Sequence, residues 1–179
     1  MRMSDGEVVA REVLEHLGAV AIAAIDDAGQ VLLVTQYRHP VRRRLAELPA
    51  GLLDVAGEPA LDAARRELAE EAGVHASIWH TLLDLHPSPG ISDEAVRVFL
   101  ARGLTDVPDI DRFTPQHEEL TLTVERVALD EAVRRALAGD ITNAAAVAGL
   151  LAAAYARDSR WSSLRDAGAP WEARPERAG

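Results

Sequence analysis

The sequence predicts one domain of mixed α/β, α+β character, and three observations lead there. The chain has 179 residues and is 48% hydrophobic, enough for a single domain to bury a sizeable core. Strand-like and helix-like segments interleave without strict alternation, and no internal repeat or linker divides them. Composition narrows the rest. With no cysteine, disulfides and thiolate metal sites are excluded, so any metal must be held by oxygen or by the six histidines, which points to hard cations. A formal charge of −10 argues against sequence-independent nucleic-acid binding, which needs a basic surface. The longest apolar stretch, Ala144 to Ala156, is too short to span a bilayer, and the N-terminus lacks an apolar core of signal-peptide length. The expectation is a cytoplasmic protein that makes no membrane contact.

In chain order, residues 1–17 form an arm in which "EVVAREVLEH" alternates well enough for a strand, with a helix as the alternative. From Gly18, "GAVAIAAIDDAGQVLLVTQYRHP" reads as two apolar strands around an Asp-Asp-Ala-Gly turn, a hairpin. "LAELPAGLLD" carries a turn into a short apolar run. Pro59 then opens a helix whose apolar stripe is Leu61, Ala64, Leu68 and Ala72 and whose stop is Gly73. "ASIWHTLLDLH" and "EAVRVFLARGL" are strands flanking the turn-rich "PSPGISD". "LTLTVERVAL" alternates as a further strand before core helices at about Asp130 to Ala138 and Thr142 to Ala156. The domain proper is residues 18–157, and residues 158–179 form a C-terminal extension without periodicity, loose or packed on a partner.

The helix "AARRELAEEAG" is the most informative segment. It places Glu67, Glu70 and Glu71 at i, i+3 and i+4 on one face. Like charges at this spacing cost an isolated helix about 0.2–0.5 kcal/mol per pair, and the helix dipole disfavours anions at its C-terminal end. Such crowding becomes favourable when divalent cations bind between the carboxylates, as Mg²⁺ does when it pairs protein carboxylates with substrate phosphates. A solvated acidic face is the plain alternative. "RHPVRRR", with Arg38, Arg42, Arg43 and Arg44, is either an anion site or a solvated basic loop.

Gly51, Glu58, Arg66-Glu67-Leu68, Glu70-Glu71 and Gly73-Val74 together resemble the Nudix box, G-x5-E-x7-R-E-U-x-E-E-x-G-U with U aliphatic. The match is complete from Glu58 onward, while six residues rather than five separate Gly51 from Glu58. "QYRHP", "ELPAG", "SPGISDE" and "NAAAVAGLLA" extend the resemblance, over about Val8 to Ala154, to the bacterial ADP-ribose pyrophosphatase subgroup, and Pro89 stands at that subgroup's position sixteen residues beyond Gly73.

The resemblance implies a mixed β-sheet sandwiched between helices, with a loop-helix-loop catalytic motif, and a homodimer formed partly through the N-terminal arm. It implies Mg²⁺-dependent hydrolysis of ADP-ribose to AMP and ribose 5-phosphate, with Mn²⁺ as the alternative ion. Glu67 and Glu71 would be the principal metal ligands, supported by Glu70 and the Ala50 carbonyl, and Arg66 would orient the carboxylates through Glu58. The general base would be Glu118, with Glu119 as runner-up and the neighbouring His117 incidental. Arg38 and Glu47 would contact the adenosine side of the substrate, and Pro89 and Gly90 would belong to the substrate loop. Two other readings stay open: hydrolysis of a different nucleoside diphosphate derivative, and a non-catalytic protein that binds ADP-ribose.

Overall fold

A computed structural model describes residues 1–108 and 121–174. Its strands are β1 (Ala19–Ala24), β2 (Gln30–Arg38), β3 (Arg43–Glu47), β4 (Ala50–Leu52), β5 (Val74–Leu85), β6 (Val96–Asp106), β7 (Thr123–Ala128) and β8 (Arg165–Asp166). The helices are α1 (Ala60–Ala72), α2 (Leu129–Ala138) and α3 (Ala144–Asp158). Five strands form a mixed sheet in the order β4-β1-β6-β5-β8, and three form a second sheet in the order β3-β2-β7.

The centre of the larger sheet is apolar on both faces. Along β1, Val20, Ile22 and Ala24 join Ala63, Ala64 and Leu68 of α1 in one core cluster. Ala21 and Ala23 point the other way, into a cluster with Leu33 and Val127 of the second sheet and Ala146, Leu150 and Ala153 of α3. The period-two alternation of a strand therefore sorts one unbroken apolar run into two cores. Helices cover the sheet on both sides, the sandwich expected. Helix α1 starts after Pro59, whose extended backbone precedes the first turn, and ends at Gly73, which adopts φ 64° and returns its N–H to the carbonyl of Ala69.

Three local expectations are corrected. The two strands around the Asp26–Gly29 turn do not form a hairpin: beyond the single bridge Ile25 to Val31 they part into different sheets. The reason is burial. Residues 20–25 and 31–34 are buried throughout, so each strand needs a strand on both sides and cover on both faces, which a two-stranded hairpin cannot supply. The N-terminal arm is neither strand nor helix; Val8 and Leu14 make isolated bridges only, the latter to Ser92.

The described part of the C-terminal extension, residues 158–174, is packed on the sheet and not loose. Residues 165–166 add an edge strand to β5, Trp161 lies against the guanidinium of Arg102 at 4.6 Å, and Trp171 lies against that of Arg97 at 4.9 Å. Arg97, only 3% exposed, binds both oxygens of Asp84 at 2.7 and 3.1 Å and donates to the carbonyls of Ala169 and Pro170 at 2.6 and 2.9 Å. Burial pulls the Asp84 pKa up, but hydrogen bonds from Arg97 and Arg165 outweigh it and hold the carboxyl below its ordinary range.

Removing one partner of a buried ion pair leaves the other charge uncompensated. Arg97→Met is therefore expected to cost about 3 kcal/mol in urea unfolding, the low end for such a change because Arg165 still reaches Asp84. Limited proteolysis should open the chain after residue 158 in the variant before the rest of the domain is cut.

Candidate active site

The acidic face of α1 is organised by one guanidinium. Arg66 donates to both oxygens of Glu58 at 3.2 and 3.1 Å, to Glu67 at 2.6 Å and to Glu70 at 3.1 Å. Glu71 turns away from this group and accepts the N–H of Ala50 at 2.9 Å. Register explains why that N–H is available. Ile22 donates to the carbonyl of Pro49, and Val20 lies opposite Gly51, so the backbone groups of the intervening Ala50 point off the open edge of the sheet. Glu67 crosses the same edge over Gly51. A Cβ on Gly51 would stand 2.0 Å from the Glu67 carboxyl carbon, so this position admits glycine because the helix carboxylate lies on its backbone.

These carboxylates are poorly solvated. Burial pushes the Glu71 carboxyl up to about 8; the negative charges of Glu67 and Glu47 add to it, against the Ala50 N–H and the Arg38 charge. Burial likewise raises Glu67, opposed chiefly by Arg66. Glu47, 2% exposed, is held by Arg38 in a two-pronged ion pair of 3.0 and 2.8 Å. Five carboxylates, Glu47, Glu58, Glu67, Glu70 and Glu71, thus stand against two guanidiniums, Arg38 and Arg66.

The donor set fits a hard divalent cation. It consists of carboxylates and the outward carbonyl edge at Ala50, all oxygen, with more negative than positive charge and two carboxyls that burial disfavours as bare anions. Among the described residues no group of three acidic or histidine side chains is arranged to clasp an ion as it stands. The reason is local pairing: Arg66 holds Glu67 and Glu70, and the Ala50 N–H holds Glu71.

Beside this edge lies a cleft of about 540 Å³ whose lining includes Arg38, Glu47, Ala50 and Gly51 together with His16, Glu94 and Asn143. The expected residues Arg38, Glu47 and Ala50 are therefore brought together. Pro89 and Gly90 are not; in the single chain they border a separate surface cleft against the N-terminal arm. Arg44 is engaged by the carbonyls of Thr35 and Thr121 at 2.9 and 2.7 Å, so it braces the fold rather than waiting for phosphate. Glu118, Glu119 and His117 lie outside the described residues. Among the described residues on either side of that segment, Asp106 and Val124 line a small cleft with Glu70 and Glu71.

Sequence reasoning missed His16, Glu94 and Asn143. Asn143 carried a readable signal, since its Oδ1 caps α3 by accepting the N–H of Ala146 at 2.9 Å. His16 and Glu94 carried none, because nothing in their spacing from the helix indicates that they meet at the cleft.

A family model described as the NUDIX domain matches residues 9–148. The chain is similar to an ADP-ribose pyrophosphatase of Mycobacterium tuberculosis, with 50% identity over 98% of this chain and 83% of that protein. It is also similar to an ADP-ribose pyrophosphatase of Bacillus subtilis, with 37% identity over 73% of this chain and 62% of the relative. Among solved structures, one described as an ADP compounds hydrolase superposes with a TM-score of 0.73 at 24% identity, covering 89% of this chain and 83% of the other, a likeness of fold.

The raised Glu71 pKa has a definite sign in stability. Between about 4.5, its ordinary value, and about 8, the unfolded chain has lost this proton while the folded metal-free protein still holds it, so stability falls as pH rises through that window. In urea unfolding without metal, wild type should lose stability relative to Glu71→Gln between pH 4.5 and 8. A constant difference between the two proteins across that range would contradict the burial of this carboxyl.

Proposed function

The chain belongs to the Nudix family, and from that premise we propose that it hydrolyses the pyrophosphate bond of ADP-ribose, giving AMP and ribose 5-phosphate. One observation carries the chemical part of the reading: the all-oxygen, net-negative array where the acidic face of α1 meets the edge of β4. The substrate follows the activity for which the two pyrophosphatase relatives are named. The family generally uses divalent cations; Mg²⁺ is our choice here, with Mn²⁺ as the alternative. Glu67, Glu70, Glu71 and the Ala50 carbonyl would hold it. When bound, such an ion neutralises adjacent phosphates and lowers the pKa of the attacking water.

The chain's own groups supply the rest. Arg66, anchored on Glu58, is a positioning residue that keeps Glu67 and Glu70 on the site side of the helix. Arg38, fixed by the buried Glu47 in a two-pronged ion pair, lies in the cleft wall with it, where the two contact the adenosine side of the substrate. Glu118 takes the proton from the attacking water, with Glu119 as the alternative. In support of this base, Asp106 and Val124, which precede and follow residues 109–120 in the chain, line one cleft with Glu70 and Glu71. Pro89 and Gly90 complete the substrate loop, in our reading, when two copies associate through the arm of residues 1–17. In our reading it acts in the cytoplasm on small nucleotides; the net charge of −10 weighs against a nucleic-acid partner.

Incubation with a panel of nucleoside diphosphate compounds and Mg²⁺, with chromatographic separation of products, tests the reading. ADP-ribose should be cleaved to AMP and ribose 5-phosphate, whereas binding without cleavage, or preference for another compound, would overturn it. Glu118→Gln should lower kcat by about 10²–10⁴-fold with ADP-ribose affinity retained, and Glu119→Gln should do much less; the reverse order would move the base to Glu119. Light scattering should give a mass near twice the 19.3 kDa of one chain, and a monomer at micromolar concentration would refute the dimer.

A further inference from the structure

The basic segment that joins β2 to β3 is a motif that the hydrolytic chemistry leaves partly without a role, and its four arginines divide in the structure. Arg38 is ion-paired with the buried Glu47, and Arg44 donates to the carbonyls of Thr35 and Thr121. Arg42 and Arg43 are both exposed, and among the described residues their side chains make no hydrogen bond or ion pair. Both positions carry a cost. Arg42 adopts φ 53°, a left-handed backbone that glycine takes freely and arginine does not. Arg43 lies directly opposite Arg38 in the β2–β3 register, a like-charge cross-strand pair.

Register places these charges at the mouth of the cleft. Alternate residues of a strand share a face, so Arg43 continues the row of Leu45 and Glu47, both of which line the cleft. The row runs from the buried Glu47 through the half-buried Leu45 to the exposed Arg43, about 13 Å along the strand. Pro40 and Val41 line the cleft from the turn itself, and Arg42 follows them with its N–H returned to the His39 carbonyl at 3.1 Å, which fixes the tip. The surroundings disfavour an approaching anion. The chain carries −10 overall, and the α1 edge of the site is rich in carboxylates.

We propose that Arg42 and Arg43 are an electrostatic capture pair at the cleft mouth, drawing the doubly charged pyrophosphate of the substrate toward a site that otherwise repels it, an inference that rests on the hydrolase reading above. The range of the field suits this role. At physiological ionic strength the Debye length is about 8 Å, so charges on the rim act on an anion that has reached the mouth rather than on one in bulk solution. Low-dielectric cleft walls focus such a field. Capture of this kind asks for charge and not for a bound geometry, which accords with two side chains left exposed to solvent. A rim charge changes the capture of a ligand and its salt dependence, whereas the chemical step at the α1 edge is left as it was.

Steady-state cleavage of ADP-ribose with Mg²⁺, followed as the ratio of variant to wild type across a salt series, tests this. Arg42→Gln combined with Arg43→Gln should lower kcat/KM by about tenfold at about 0.01 M ionic strength, the low end of electrostatic steering. The loss should shrink to within about twofold at about 1 M, where the Debye length is only about 3 Å, with kcat unchanged throughout. Arg42→Lys combined with Arg43→Lys should match wild type, because a field needs the charge and not the planar fork. Arg160→Gln removes an exposed arginine beyond the far end of α3, about 20 Å along the helix from the cleft residues Asn143 and Ala145, and should also match wild type. A loss that persists at high salt or in the lysine variant would mean a direct contact and overturn the capture pair. Undiminished kcat/KM in the glutamine variant at low salt, or an equal loss in Arg160→Gln, would overturn it too, and in each of these cases the substrate reading stands. If wild type leaves ADP-ribose intact but cleaves another nucleoside diphosphate compound, the substrate reading falls and the same salt series on that compound decides about the arginines. If it cleaves none, both fall.

Discussion

The seam between the second half of α1 and the edge strand β4 is the constraint around which this molecule is arranged. On one side of the helix Ala63, Ala64 and Leu68 are fully buried against β1 and β6. On the other side Glu67 and Glu71 lie on the backbone of Ala50 and Gly51. Burial of the apolar stripe, worth about 25 cal/mol per Å² of apolar surface removed from water, sets the depth of the helix. The carboxylates are then carried into a poorly solvated position that they would not take by themselves. Gly51 makes the approach sterically possible, and Arg66 offsets part of the repulsion.

The remaining elements keep that seam in place. β1 and β6 run parallel at the centre of the larger sheet, and both bury apolar side chains on both faces, Arg97 of β6 being the buried exception. α1 therefore has a floor that is itself packed against α3 and the second sheet. The far edge is closed by the C-terminal segment, which Arg97 binds through two backbone carbonyls and one aromatic face. Among the described residues the near edge ends at β4, where the N–H of Ala50 donates to Glu71 in place of a further strand. One sheet thus has a capped edge for stability and an uncapped edge for chemistry, which limits the exposed strand surface available for unwanted pairing.

The cleft walls come from segments with little regular structure. His16 belongs to an arm that makes only isolated bridges, and Glu94 to the loop that this arm holds. Side chains on loops can be placed accurately when backbone hydrogen bonds tie the loop to a rigid sheet. Here the tie is mutual: the His16 N–H donates to Asp93 and the Ser92 hydroxyl donates to the Leu14 carbonyl.

Much of this was legible from residues alone. α1, its caps at Pro59 and Gly73, its apolar stripe and the shared face of Glu67, Glu70 and Glu71 follow from local rules, because a helix fixes which side chains are neighbours within a few residues. The anchoring of Arg66 on Glu58 was also expected, and it spans only eight residues. Local rules did not reach further. The apolar runs of β1 and β2 are equally compatible with a hairpin and with two separate sheets, and the choice depends on strands β6 and β7 much later in the chain. Nor could spacing reveal that Glu94 would face His16, or that Arg97 would bind residues 169 and 170. Those contacts join residues some seventy or more positions apart, and their geometry exists only once both cores have closed. The sequence by itself determined the helix and the charge on its face; the tertiary structure decided which edge of which sheet meets that charge, because long-range register is settled by burial on both faces of a sheet and not by any local pattern.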